Sequence, residues 1–293
     1  LYHPGGVYPA IPVPFKKNGD LDGESLIGLI QHFEDTDING ILIMGTSGEF
    51  AMMNDNERRK VVDIAVGSVN RLETIINAGY ASTRETVSLA KYIKDAGGDA
   101  AIVVAPYFYH PSQKGMADHF VTVAEKADIP VLAYNIPSFS GNTLSPDIMT
   151  DFALEERIVG IKDSGGDPAA LQEFIHRSYE GFSVMVGSDS LACFGLCMGA
   201  AGMIIGSAAI APWICTEMYD ALRKTDFKRA LSMQLALNHV IKAMSVGTFP
   251  VSIKYCLRAQ GLPAGYVRKP LEELSAAQKK EVEVHLKAAN ILK

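Results

Sequence analysis

No long basic block stands in this chain: 27 Lys and Arg face 33 Asp and Glu, for a net charge of −6, and no positive stretch is interleaved with aromatics. A nucleic acid or an anionic membrane surface would find no electrostatic footing here. Nowhere do eighteen apolar residues run together, so no spanning helix is expected. The first residues carry no charged segment followed by an apolar run of the kind that directs export. The expectation is a cytoplasmic protein that meets small molecules or further copies of itself. Cysteine is scarce: Cys193, Cys197, Cys215 and Cys256 are too few for a disulfide framework in 293 residues. Cys193 and Cys197 stand one helical turn apart, but no His or third Cys lies near them, and all four read as small buried hydrophobes. The seven histidines (His3, His32, His110, His119, His176, His239, His285) are scattered, with no HExxH and no His-x-His, so neither a metal nor an organic cofactor is expected. No GxGxxG follows any apolar run, which weakens an open doubly wound nucleotide-binding sheet.

What the chain has in quantity is apolar sequence, at 48% hydrophobic, arranged with a regular beat. Runs at Val7 to Pro14, Gly40 to Met44, Thr74 to Ala78, Ala100 to Ala105, Pro130 to Asn135, Ile158 to Lys162, Phe182 to Val186 and Gly202 to Ile205 each precede a polar or glycine turn. Helix-period segments lie between them: Leu21 to Asp35, Asp55 to Val69, Arg84 to Ala96, Lys114 to Ala127, Ser145 to Phe152, Pro168 to Ser178 and Ser190 to Met198. Asn54, Ser145 and Asp167 read as N-caps, the last two followed by Pro at the first helical position. Strand and helix alternating eight times predict a (β/α)8 TIM barrel. Beyond Pro212 the strand signal stops, and residues 213 to 245, 249 to 260 and 271 to 291 read as helices. The expected organisation is a catalytic barrel over residues 1–225 and a C-terminal helical region over 226–293 packed on it.

One run, Ile158-Val159-Gly160-Ile161-Lys162, climbs to a single lysine just before an Asp-Ser-Gly-Gly turn. A lysine ending a buried strand either snorkels to water or serves as an amine nucleophile. A free lysine near pKa ~10.4 is neutral in only about one molecule in a few thousand at pH 7, and poorly solvated surroundings favour the amine. The other strand ends decide between the two readings, because barrels of this class carry their chemistry there. After the second strand comes Gly45-Thr46-Ser47-Gly48-Glu49, and after the fourth Pro106-Tyr107-Phe108-Tyr109-His110. The fifth ends in Tyr134-Asn135-Ile136-Pro137, the seventh leads to Gly187-Ser188-Asp189 and the eighth to Gly206-Ser207. Each has a plain alternative: a tight turn for the glycine-rich stretch, a core tyrosine for Tyr134, packing aromatics for Tyr107 to Tyr109, an N-cap for Asp189. Taken together, an amine, phenols, hydroxyls and one carboxylate form a set that makes and protonates an imine. No other Lys or Arg stands at a predicted strand end, so a monocarboxylate bearing hydroxyls suits the set better than a dianionic phosphate.

Three motifs, Gly45-Thr46-Ser47-Gly48-Glu49, Tyr134-Asn135-Ile136-Pro137 and Gly160-Ile161-Lys162-Asp163-Ser164, stand in the order and at the spacing of one family. Through them nearly the whole chain resembles the dihydrodipicolinate synthase and N-acetylneuraminate lyase family of pyruvate-dependent class I aldolases. The resemblance implies a homotetrameric barrel in which Lys162 forms a Schiff base with pyruvate, Tyr134 and Tyr107 serve proton transfer beside Thr46, and Thr46, Ser47 and Gly48 hold the carboxylate. Ser164, Gly187, Asp189, Ser207 and Phe139 are expected around the remainder of the substrate. The chain also departs from the family pattern. Phe139 stands where the synthases carry an arginine for the second carboxylate of aspartate semialdehyde, and Phe108 where they use a tyrosine of the neighbouring subunit. Phe50, Asp55 and Arg58 are unlike the residues of the lysine-inhibited enzymes, and Ser190 replaces a glutamate of the neuraminate lyases. These departures point to reversible aldol cleavage of a 2-keto-3-deoxy sugar acid into pyruvate and an aldehyde. The alternatives are 4-hydroxy-tetrahydrodipicolinate synthesis, dehydration of a keto-deoxy sugar acid, and a barrel that binds such acids without turning them over.

Overall fold

The computed structural model describes residues 2–293. Its strands are β1 Gly6–Pro9, β2 Gly40–Ile43, β3 Glu73–Asn77, β4 Ala100–Val104, β5 Val131–Asn135, β6 Ile158–Asp163, β7 Ser183–Val186 and β8 Gly202–Ile205. Every strand residue is buried except Glu73, which is half-buried. That is why the strands read as continuous apolar runs: both faces of a parallel sheet are covered. The sheet order is β1-β8-β7-β6-β5-β4-β3-β2, and the pairs from β3 to β8 are parallel. β1 meets β2 through Asn39 N to Val7 O at 3.1 Å and Ile11 N to Leu42 O at 3.0 Å. With helices following each strand, this is the (β/α)8 barrel that the alternation predicts, carrying C-terminal helices.

The chain divides into two compact units, one of residues 2–6 with Ile75–Ile204 and the other of Val7–Thr74 with Ile205–Lys293. In the first unit, β4 to β7 are flanked by the helices Thr83–Ala96, Gln113–Ala127 and Pro168–His176. Each of these has a side-chain cap: Ser82 accepts from Glu85 N, Ser112 from Gly115 N, and Asp167 from Ala169 N. Phe120 meets Phe152 edge-on at 5.5 Å, and Phe152 stacks on Phe182 at 6.4 Å, filling the space under this helix layer. In the second unit, Asn54 and Glu57 close a reciprocal capping box at the start of Asp55–Ser68, as do Ser275 and Gln278 at Ala276–Ala288.

Four expectations are corrected. The first strand stops at Pro9, well short of Pro14, because Pro12 and Pro14 have no N–H to donate to a ladder. The segment 213–245 is two helices, Pro212–Arg223 and Phe227–Met244, broken where Thr225 turns left-handed at φ 57° and Asp226 caps the next helix by accepting from Arg229 N. The last helix begins at Ala276 and not at residue 271, since Ser275 supplies its cap. Only Cys215 and Cys256 are buried. Cys193 is half-buried and Cys197 exposed, because the helix Ala192–Cys197 turns Ala192 and Gly195 inward. Among the described residues no helix is long and apolar enough to cross a membrane, and no group of three His, Cys, Asp or Glu is placed to hold a metal ion.

Candidate active site

Strands β5 and β6 pair so that Tyr134 stands beside Lys162 and Asn135 beside Asp163. Successive side chains of a strand point to opposite faces, so the first pair shares one face and the second pair the other. Tyr134 is 2% and Lys162 3% exposed. The Lys162 Nζ lies over the Tyr134 ring, 4.2 Å from its centroid, within the range where a ring face attracts an amine cation. Lys162 makes no ion pair among the described residues, in contrast to the other buried lysine, Lys254, which is ion-paired with Glu49.

Behind this pair the opposite face is tied. Asn135 Nδ2 donates to Asp163 Oδ1 at 2.7 Å, Gly165 N donates to the same oxygen at 3.2 Å, and Leu144 N donates to Asn135 Oδ1 at 3.0 Å. Burial pushes the Asp163 carboxyl above its ordinary range, with the bonds from Asn135 and Gly165 opposing the rise. Backbone bonds continue the clamp, from Ser164 N to Asn135 O at 2.8 Å and from Gly187 N to Asp163 O at 2.7 Å. Gly187 is required by space: a Cβ there would stand 2.9 Å from both Lys162 Cε and Asp163 O and would overlap Ser164 Oγ. The Ser164 hydroxyl is buried with no hydrogen-bond partner. Lys162, Tyr134, Ser164 and Gly187 are therefore brought together.

The remaining candidate residues of this unit are half-buried or exposed. Asp189 opens a 3-10 turn, Asp189–Leu191, with Ser188 at the cap position, and is half-buried. Tyr107 is half-buried, but Phe108 is 80% and Tyr109 74% exposed, their rings edge-on at 5.1 Å. Phe108 holds φ 77°, a left-handed conformation that is costly for a side chain of its size. The reading of these two as packing aromatics is thus not met. Phe139 sits in the short helix Pro137–Ser140 directly after β5 and is 56% exposed.

In the other unit, the stretch after β2 folds as a 3-10 turn, Thr46–Gly48, closed by Gly48 N to Gly45 O at 2.9 Å and Glu49 N to Thr46 O at 3.2 Å. The first N–H groups of such a turn have no partner within it and are ready donors for an anion. Gly48 packs closely, since a Cβ would meet Val13 Cγ2 at 3.3 Å. A Cβ on Gly206 would lie 3.8 Å from Ser47 Oγ, with Ser207 fully buried in the next position. The turn is flanked by two left-handed non-glycine residues, Met44 at φ 56° and Glu49 at φ 54°, a conformation that costs on the order of 1–3 kcal/mol each unless the surroundings impose it. At Glu49 the surroundings do so. Its Oε1 accepts from Lys254 Nζ, and its Oε2 accepts from Arg268 N at 3.0 Å. Lys254 is fully buried, donates also to Tyr266 O at 2.7 Å, and is pushed down to about 8 by burial, against the opposing pull of Glu49. Sequence reading passed over Lys254 and Arg268. The available signal was a lysine on the apolar stripe Val251, Lys254, Leu257 of a helix, where an unpaired charge would not be tolerated.

The whole chain has recognisable relatives. A family model described as the dihydrodipicolinate synthetase family matches residues 3–289. The chain is similar to the 4-hydroxy-tetrahydrodipicolinate synthase of Methanothrix thermoacetophila, 34% identical over 271 residues with 92% of each chain covered. The synthase of the same name from Archaeoglobus fulgidus is 33% identical over 287 residues, covering 98% of this chain and 99% of that one. Among solved structures, dihydrodipicolinate synthase from Aquifex aeolicus superposes with a TM-score of 0.94 at 34% identity over 98% of each chain. That from Thermotoga maritima gives 0.95 at 28% identity, over 99% of this chain and 100% of the other.

Proposed function

We infer the reaction from one premise: the chain belongs to the dihydrodipicolinate synthetase family, whose members are pyruvate-dependent lyases of the class I aldolase type. The observation that carries the assignment is the buried, ion-pair-free Lys162 lying 4.2 Å from the centroid of the Tyr134 ring. In its neutral form the Lys162 amine attacks the keto carbon of pyruvate, and loss of water leaves an imine. The iminium withdraws electrons from the adjacent methyl, which gives up a proton to become an enamine. Tyr134 is assigned the proton transfers, with Tyr107 as a second phenol in the same role. Thr46, Ser47 and Gly48 are assigned the carboxylate, a positioning role of the kind worth roughly several kcal/mol. Gly187 leaves room for the adduct, and the Ser164 hydroxyl supplies a donor to it.

The second substrate is proposed to be aspartate semialdehyde. Its aldehyde carbon accepts the enamine, its amine then displaces Lys162 from the imine carbon, and the ring of 4-hydroxy-tetrahydrodipicolinate closes. Two relatives of that name at 33–34% identity support this above the sugar-acid cleavage to which the departures from the family pattern point. One observation keeps the sugar-acid reading as a second: Phe139, half exposed beside β5, presents no charge to a second carboxylate. In that reading Asp189 and Ser207 accept from and donate to substrate hydroxyls, and C3–C4 cleavage releases an aldehyde. A cytoplasmic homotetramer is part of the same proposal.

Borohydride reduction with pyruvate tests the shared step. Mass spectrometry is expected to find the reduced adduct on Lys162, and its absence would remove the assignment. Product identification with pyruvate plus aspartate semialdehyde, against a panel of 2-keto-3-deoxy acids assayed for pyruvate release, then separates synthase from aldolase. Binding of pyruvate with turnover of neither substrate class would leave a non-catalytic barrel.

A further inference from the structure

Glu49 closes the turn on which the pyruvate carboxylate is proposed to rest, and the groups that fasten its side chain lie far from it in sequence. Its own amide is spent on Thr46 O, at 3.2 Å. Its carboxylate reaches across to the C-terminal part of the chain, one oxygen to Lys254 Nζ and the other to Arg268 N. Lys254 is anchored in turn, donating to Tyr266 O at 2.7 Å and lying 4.5 Å from the centroid of the Phe15 ring. Arg268 also lies over that ring, 4.1 Å from its centroid, and grips the chain just past the turn, donating to Met52 O at 2.8 Å and to Glu57 Oε2 at 2.8 Å. The turn thus has both its closing residue and the chain after it fastened to residues of the C-terminal region.

The arrangement is expensive for a merely structural contact. Both side chains of the pair are essentially without solvent, Lys254 at 0% and Glu49 at 1%. A buried ion pair often breaks even against well-packed apolar groups, so burying one directly under a binding turn calls for a geometric reason. The geometric reason is the backbone of Glu49, which stands at φ 54° while its carboxylate is fastened at both oxygens. If Glu49 relaxed towards ordinary helical or extended backbone, the amides of Thr46 and Ser47 would swing with it.

We propose that Lys254 is a positioning residue for the keto-acid carboxylate: by holding Glu49 in its left-handed conformation it sets the aim of the Thr46–Gly48 turn, and the C-terminal region thereby sets the affinity for pyruvate. The inference rests on the assignment of that turn to the carboxylate under the proposed function. It makes no use of the second substrate.

The test is the pyruvate concentration giving half-maximal borohydride trapping, measured on the full chain. In Lys254→Met and in Glu49→Gln that concentration is expected to rise about tenfold or more, while the trapping rate at saturating pyruvate stays within about threefold, the pattern of lost binding at a site whose chemistry is intact. The double variant is expected to be no worse than either single one, since both break the same contact. A purely structural pair would lower the melting temperature and leave the half-saturating concentration unchanged, and that result overturns the proposal. Should Lys254→Met fail to fold, Glu49→Gln decides, being isosteric and leaving no carboxylate buried alone. Failure of the wild-type protein to trap pyruvate on Lys162 would instead strike the underlying assignment, so the two failures are told apart.

Discussion

Lys162 and Tyr134 are cross-strand partners whose side chains meet face-on, nitrogen above ring, at 4.2 Å from the centroid. The register of β5 on β6 makes this contact, and it separates two contributions of Tyr134: the ring that lies over the amine and the hydroxyl proposed to move protons.

Tyr134→Phe keeps the ring and removes the hydroxyl. Turnover is expected to fall by about two to four orders of magnitude, with borohydride trapping on Lys162 retained. Tyr134→Ala removes both, and trapping is expected to fail as well. Equal turnover in Tyr134→Phe and the parent enzyme would end the proton-transfer role.

Gly187→Ala introduces a methyl 2.9 Å from Lys162 Cε and Asp163 O. Overpacking of that kind costs typically about 1–3 kcal/mol. Here it also displaces the amine, so the trapping rate is expected to fall at least about tenfold, more than the loss of melting temperature would explain. Trapping kinetics and thermal unfolding on the same sample check it.

Asp163 ties the strand ends through the bonds it accepts from Asn135 and Gly165. Its carboxyl is raised by burial, so the folded protein binds the proton more tightly than the unfolded chain does. This contribution is full below the ordinary carboxylate range and is lost as pH rises through the raised value. Asp163→Asn, which keeps an acceptor for Asn135 and Gly165, is expected to be neutral or stabilising at pH 7. Asp163→Ala strands Asn135 Nδ2 and is expected to cost about 1–3 kcal/mol. Urea unfolding of the two variants distinguishes them.

His119 is 4% exposed, its Nδ1 2.9 Å from Thr83 Oγ1 and its Nε2 without a partner. Burial pushes it down from 6.5 to about 4. Between those values the unfolded chain binds more protons, so stability is full above pH 6.5 and declines as pH falls towards 4, by up to on the order of 3 kcal/mol. In His119→Gln this part of the acid loss is expected to vanish, read as a flatter urea midpoint between pH 7 and pH 4.5.

Much of the barrel was legible because its causes are local. Covered strands read as apolar runs, and Asn54, Asp167 and Ser145 announced their helices by capping chemistry. Tyr134 and Lys162 could be placed at strand ends from the turns that follow them. Their mutual contact could not, since it depends on a register that shifts between Val131 and Leu132. The exposure of Phe108 and Tyr109 was equally hidden, as it follows from a left-handed backbone at Phe108. The choice of second substrate was read from absent side chains at Phe139 and Phe108, whereas the relatives point to the synthase.

By itself the amino-acid sequence determined the alternation of strand and helix, the family motifs and the lysine one residue before the end of β6, because burial pattern, capping and turn formation act over a few residues. Only the tertiary structure decided that Lys162 has no ion partner among the described residues while Lys254 is paired. Glu49 lies 205 residues from Lys254, and whether a buried charge finds its counter-charge depends on the path of the backbone through space and not on its neighbours along the chain.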